Sequence, residues 1–151
     1  MTDEEFEARR DLRDLAERYA RGADRRRPTD VADLFLADGR LMIYTGDPDD
    51  GGTLTSDLQG RDAIATAMTR LSRYRVTFHM LGQQHVDELD LVEGEASAET
   101  YCLAHHLSGE PTRNRVMAIR YLDRFRRSEE GWRIAERRLA VDWVSETLLE
   151  S

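Results

Sequence analysis

Apolar positions in the first two dozen residues recur at steps of three and four. Leu12, Leu15, Ala16, Tyr19, Ala20 and Ala23 form one stripe, and this spacing predicts an amphipathic helix of about five turns. Thr2, with Glu5 three residues on, has the pattern of a capping box at its start. Gly22 and the Arg25-Arg26-Arg27-Pro28 segment are expected to end it, because a proline disfavours helical geometry in the residue before it. Val31, Leu34 and Phe35 then share one side of a second short helix ending near Asp38-Gly39. A strand over Arg40–Thr45, a turn-rich stretch over residues 46–52 and a second strand over Thr53–Leu58 lead to a third helix, marked by Ile64, Met68 and Leu71. From Arg75 the period changes to two. Four long strand-like segments follow, Arg75–Leu89, Ala96–Leu107, Asn114–Arg126 and Trp132–Trp143, joined by turn signals such as Glu93-Gly94 and Ser108-Gly109-Glu110-Pro111.

Helices first and an antiparallel meander last read as an α+β fold, with the N-terminal helices packed on a strongly curved mixed or antiparallel sheet. A bent sheet closed by helices leaves a cone-shaped cavity suited to a small ligand. No repeat or linker divides the chain, so a single domain over residues 1–151 is expected.

The formal charge of −8 argues against a general nucleic-acid binder, which needs a basic surface to displace counterions. All 22 basic residues are arginine, so lysine Schiff-base chemistry is excluded. No apolar run reaches the ~18–20 residues of a membrane span. The acidic start, Met1 to Glu7, lacks the order of a secretory signal, and a cytoplasmic location is the expectation. The lone Cys102, between Tyr101 and Leu103, is expected to pack in the core. The four histidines, His79, His85, His105 and His106, show no metal-ligand spacing, and no metal or cofactor is expected.

Two polar islands interrupt the apolar pattern. Asp24 closes the first helix, and His79 sits within Val76-Thr-Phe-His-Met-Leu81. A carboxylate and an imidazole are the parts of a general acid/base pair, the carboxylate fixing the ring's tautomer while the other ring nitrogen moves a proton. Alternation puts Tyr101, Leu103 and His105 on one face of their strand and Cys102, Ala104 and His106 on the other, so only one of the adjacent histidines faces a cavity. In the last strand Ala135, Arg137, Leu139, Val141 and Trp143 share a face, with Arg137 able to bind an anion or pair with Asp123. Arg25 to Arg27 read most simply as a solvated helix end.

The ordered set Tyr19-x4-Asp24, Asp33-Leu34-Phe35, Gly60-Arg-Asp-Ala-Ile64, His79-Met-Leu-Gly82, Tyr121-Leu-Asp-Arg-Phe125 and Gly131-Trp-Arg-Ile134 resembles SnoaL-like members of the nuclear transport factor 2-like superfamily. That superfamily hosts dehydratases, dehydrochlorinases, isomerases, cyclases and non-catalytic proteins, so the likeness does not fix a reaction. Asp24 and His79 match places used by the branch resembling scytalone dehydratase, bile-acid dehydratase and the dehydrochlorinase. The resemblance implies an Asp24–His79 dyad performing elimination, isomerisation or cyclisation on a small apolar oxygenated or halogenated substrate without a cofactor. The pocket is expected to draw on Tyr101, Arg137 and Trp143 from the strand faces above, on Tyr19 and Tyr44 as tyrosines do in the related dehydratases, and on His105, whose place resembles that of a second polar residue in that branch. A homodimer is expected by the same likeness. The alternatives are a non-catalytic ligand-binding module and an accessory subunit resembling the β subunit of ring-hydroxylating dioxygenases.

Overall fold

The computed structural model describes residues 1–150. Helix α1 (Asp3–Asp24) opens with a reciprocal cap: Thr2 Oγ1 accepts from the Glu5 N–H at 3.1 Å and the Glu5 carboxylate accepts from the Thr2 N–H at 2.8 Å. Its apolar stripe from Ala8 to Ala23 is buried. Gly22 does not end the helix. It lies in the last turn, where a Cβ would meet Val31 Cγ2 at 2.6 Å, so the glycine permits a close approach to α2 (Pro28–Ala32).

Leu34 and Phe35 are not part of α2. The chain turns at Asp33, and Phe35 begins strand β1 (Phe35–Thr45). Long-range pairing decides this: the Ile134 N–H donates to Leu34 O at 2.9 Å and Phe35 pairs with Ile134, overriding the local helical spacing. β2 (Thr53–Gln59) and α3 (Arg61–Met68) follow, with a 3₁₀ turn over Thr69–Arg73. The long meander comprises β3 (Val76–Asp90), β4 (Glu95–Ser108), β5 (Arg113–Ser128) and β6 (Gly131–Leu148).

The six strands form one open mixed sheet in the order β2-β1-β6-β5-β4-β3. Only the β1–β6 pair is parallel. Extra residues interrupt the ladder at Gly82–Gln83 on β3 and at Ala135 and Asp142 on β6. Such bulges bend strands, and here they accompany the wrapping of the sheet around α1. Leu12, Leu15 and Tyr19 of the helix pack with Phe35, Cys102, Tyr121, Phe125 and Ile134 in one buried core. Among the described residues, no helix is long and apolar enough to cross a membrane.

Candidate functional site

The end of α1 meets β3 at Asp24 and His79. Asp24 Oδ1 lies 2.6 Å from His79 Nδ1, and Oδ2 accepts from the His79 backbone N–H at 2.9 Å. Thr77, two residues back on the same strand face, donates from Oγ1 to Asp24 Oδ1 at 3.0 Å. Burial raises the Asp24 carboxyl pKa, but the His79 and Thr77 hydrogen bonds outweigh it and hold it below the usual carboxylate value. An ionised carboxylate can only accept, so Nδ1 carries a ring proton, and in the neutral ring Nε2 is left with its lone pair. The His79 side chain is 7% exposed and that of Asp24 23% exposed. A shallow surface groove lined by Arg13, Glu17, Arg21 and Arg25 reaches Asp24 from outside, so the pair forms a partition between groove and interior.

On its inner side His79 lines a cavity of about 310 Å³, whose walls are mainly apolar: Leu41 and Ile43 of β1, Leu58 of β2, Met68 of α3, Ile119 of β5, and Leu139 and Val141 of β6. This volume lies at the small end of ligand sites, which run from roughly 300 to 1,000 Å³. Tyr19, Tyr74, His106 and Tyr121 supply much of its polarity.

Tyr74 and Tyr121 were not expected there, and of the two adjacent histidines it is His106 that faces the cavity. His106 is 4% exposed, its ring centroid 5.9 Å from that of His79 and 4.8 Å from that of Tyr74. Its Nδ1 lies 3.0 Å from the Arg115 carbonyl. Because that oxygen only accepts, Nδ1–H is the donor and Nε2 an acceptor in the neutral ring. Burial, followed by the charges of His79, Arg115 and Arg73, lowers the His106 pKa despite that carbonyl, favouring the neutral form. Arg73 Nη2 donates to Tyr74 Oη at 3.0 Å, which leaves the phenol proton free to be donated. Thr77 pairs with His106 across β3–β4, so their shared face follows once His79 is known to point inward. Tyr74 follows a 3₁₀ turn and leaves no periodic signal.

Tyr19 reaches the cavity, whereas several other expected residues do not. On β4 the even-numbered residues Ala98, Cys102 and Ala104 are buried in the core, so Tyr101 and His105 fall on the outer face. Tyr101 is 39% exposed, and His105 Nδ1 contacts Asn114 Nδ2 at 3.0 Å. Tyr44 alternates with the inward-facing Ile43, and its hydroxyl lies 3.6 Å from Met42 Sδ. Trp143 shares the phase of Arg137 and Val141 in sequence, but the Asp142 bulge reverses it and leaves Trp143 53% exposed outside. Arg137 lies beneath the cavity lining, wholly buried: Nε and Nη2 donate to Asp123 Oδ1 and Oδ2, both at 2.8 Å. The Tyr19 and Tyr121 rings flank its guanidinium at 4.2 and 4.0 Å. Asp123 engages Nε and Nη2, while Nη1 is buried without a hydrogen-bond partner among the described residues. Among the described residues, no three His, Cys, Asp or Glu side chains converge as metal ligands.

The profile of the SnoaL-like domain family matches residues 4–138, and the chain belongs to that family. No curated protein sequence matches it significantly. Among solved structures it is similar to a provisional scytalone dehydratase from Novosphingobium aromaticivorans, with 21% identity, TM-score 0.76, and coverage of 100% of this chain and 95% of that one. It is similar to an NTF2-like protein with a cystatin-like fold from the same organism, with 25% identity, TM-score 0.69 and coverage of 90% and 82%. A LinA-type3 hexachlorocyclohexane dehydrochlorinase from Novosphingobium barchaimii is 12% identical with TM-score 0.77, covering 95% of this chain and 92% of that one. These likenesses define an NTF2-like cone fold.

Proposed function

We propose that the protein catalyses a cofactor-independent elimination on a small, largely apolar, oxygenated or halogenated molecule, with His79 as base and Asp24 as its orienting partner. The observation that carries this reading is the 2.6 Å contact of Asp24 Oδ1 with His79 Nδ1 in the wall of an apolar cavity. His79 Nε2 takes a proton from a carbon beside an activating group. The C–H electron pair becomes the new double bond as the bond to the leaving group breaks. A departing hydroxide receives the same proton from the imidazolium and leaves as water, whereas a halide leaves as the anion and the proton passes to solvent. Asp24 stabilises the imidazolium between these events. Isomerisation or cyclisation would share the first step and differ in where the proton or carbanion goes. Neutral His106 Nε2 suits a substrate hydroxyl as donor, and the Tyr74 hydroxyl suits a substrate oxygen as acceptor. Two of the similar structures carry names that denote eliminations, which supports the reading by analogy.

Positioned acid/base catalysis contributes typically about 10²–10⁴-fold, with the apolar walls adding orientation and exclusion of water. The test is a turnover screen of hydroxylated and halogenated ring compounds against wild type, His79→Ala and Asp24→Asn. Loss of turnover by about 10²-fold or more in both variants is expected. Variants that turn over like wild type would overturn the assignment, and a wild type that binds such compounds without turnover would make the protein a ligand-binding module.

The reading includes a homodimer. Phe78, Met80, Tyr101, Leu103 and Trp143 are each 39% exposed or more on the outer sheet face, and contiguous apolar patches of this kind mark protein contacts. Sedimentation is expected to give a dimer that Trp143→Glu converts to monomer. A monomeric wild type would end the proposal.

A further inference from the structure

Arg26 stands in the left-handed region at φ 56, and among the described residues it is the only non-glycine with positive φ. The six other such positions, at residues 46, 51, 60, 94, 109 and 131, are all glycine. The turn is a Schellman motif: the Arg27 N–H donates to Gly22 O at 2.9 Å and the Arg26 N–H to Ala23 O at 3.3 Å. Glycine is the usual occupant of that position because a Cβ is disfavoured there. Arg25 and Arg27 beside it are exposed, as a solvated helix end would be, but Arg26 is half-buried and turns inward.

Its guanidinium joins three parts of the site. Nη1 donates to Ala23 O at 2.9 Å and to Thr77 Oγ1 at 2.7 Å, while Nη2 donates to Tyr74 O at 3.2 Å. A guanidinium only donates, so the Thr77 oxygen must accept from it. The single Thr77 hydroxyl proton is thereby directed to Asp24 Oδ1 at 3.0 Å. The chain of donors runs one way, from Arg26 through Thr77 to the carboxylate, which receives the His79 Nδ1–H from the other side. The same side chain anchors the backbone of Tyr74, whose ring packs on His106.

We propose that Arg26 is a positioning residue, which acts through Thr77 to fix the orientation of the Asp24 carboxylate and thereby the Nδ1-protonated tautomer of His79. This rests on the Asp24–His79 pair being the reacting machinery. A helix cap alone would not need an arginine, since glycine fits the turn better. Arg26→Gly therefore separates the two roles. With the turn relieved, its melting temperature is expected to stay at the wild-type value or rise, while kcat falls about tenfold and KM changes little. Thr77→Val keeps the cap and removes only the relay, and the same fall in kcat is expected. The downfield proton NMR signal of His79 Nδ1–H, read without substrate, is expected to broaden or vanish in both variants and to return in part in Arg26→Lys. If Arg26→Gly keeps kcat and that signal, whatever its melting temperature, Arg26 does not act on His79 and the proposal fails. Because the signal is read without substrate, it tests the relay even where the assigned reaction fails His79→Ala.

Discussion

Replacing Arg137 by methionine tests how the floor of the cavity is held. The guanidinium and Asp123 are joined by two hydrogen bonds of 2.8 Å, with neither side chain exposed to solvent. Burial alone lowers the arginine pKa, but Asp123 outweighs it, so the guanidinium is held charged. Arg137→Met leaves the Asp123 carboxylate inside with nothing to replace water. Breaking a buried pair from one side costs about 3–5 kcal/mol. The lost stacking against Tyr19 and Tyr121 works in the same direction, whereas the methionine stem recovers part of the packing. At roughly 2–4 °C per kcal/mol for a chain of this size, the melting temperature should fall by about 6–20 °C. Asp123→Leu should cost a similar amount by stranding the arginine. The double variant Asp123→Leu/Arg137→Met should regain most of the loss, because two apolar groups carry no desolvation penalty. Urea denaturation of the four proteins measures the cycle. A single variant within ~1 kcal/mol of wild type, or a double no better than the singles, would refute this account of the ion pair.

Three further expectations concern acid, thiol chemistry and cavity volume. The His106 pKa is lowered in the fold, so its contribution to stability is complete above the unfolded value of about 6.5 and is lost as pH falls below it. The urea midpoint should drop between pH 7.5 and 5.5, and His106→Gln should flatten that slope; an unchanged slope would remove His106 as its source. Asp24, also lowered, acts in the same sense but only as pH falls below about 4. Burial pushes the Cys102 thiol up to about 11, so a disulfide reagent at pH 8 should label one thiol only after unfolding, and rapid labelling of the native protein would contradict its burial. Leu139→Trp should fill the cavity and abolish ligand binding while leaving the His79 Nδ1–H signal in place, and undiminished binding would put the ligand elsewhere.

Much of the fold is written in short-range periodicity. The α1 stripe, its Thr2–Glu5 cap and the alternation in β3 to β5 are each visible from neighbouring residues, and so is the placing of Asp24 and His79 at the end of one element and inside another. What escapes such reading depends on distant partners. Phe35 leaves the helical pattern because Ile134 pairs with it. Trp143 turns outward because Asp142 is an unpaired extra residue opposite β5. The choice between His105 and His106 depends on which face of β4 meets α1, a matter of packing and not of spacing. Arg26 looks like its two neighbours in sequence; only its left-handed backbone and the position of Thr77 give it a separate role.

The parallel pairing of β1 with β6 has a consequence for synthesis of the chain. Leu41 and Ile43 dock on Arg137 and Leu139, which are made 96 residues after them. Until then the nascent chain can bring helix and imidazole together, yet one wall is missing and greasy surface stays open to water. Folding that waits on so distant a partner is slow and exposed to aggregation. Chaperone dependence should therefore be greatest while β1 is exposed and β6 has not yet emerged.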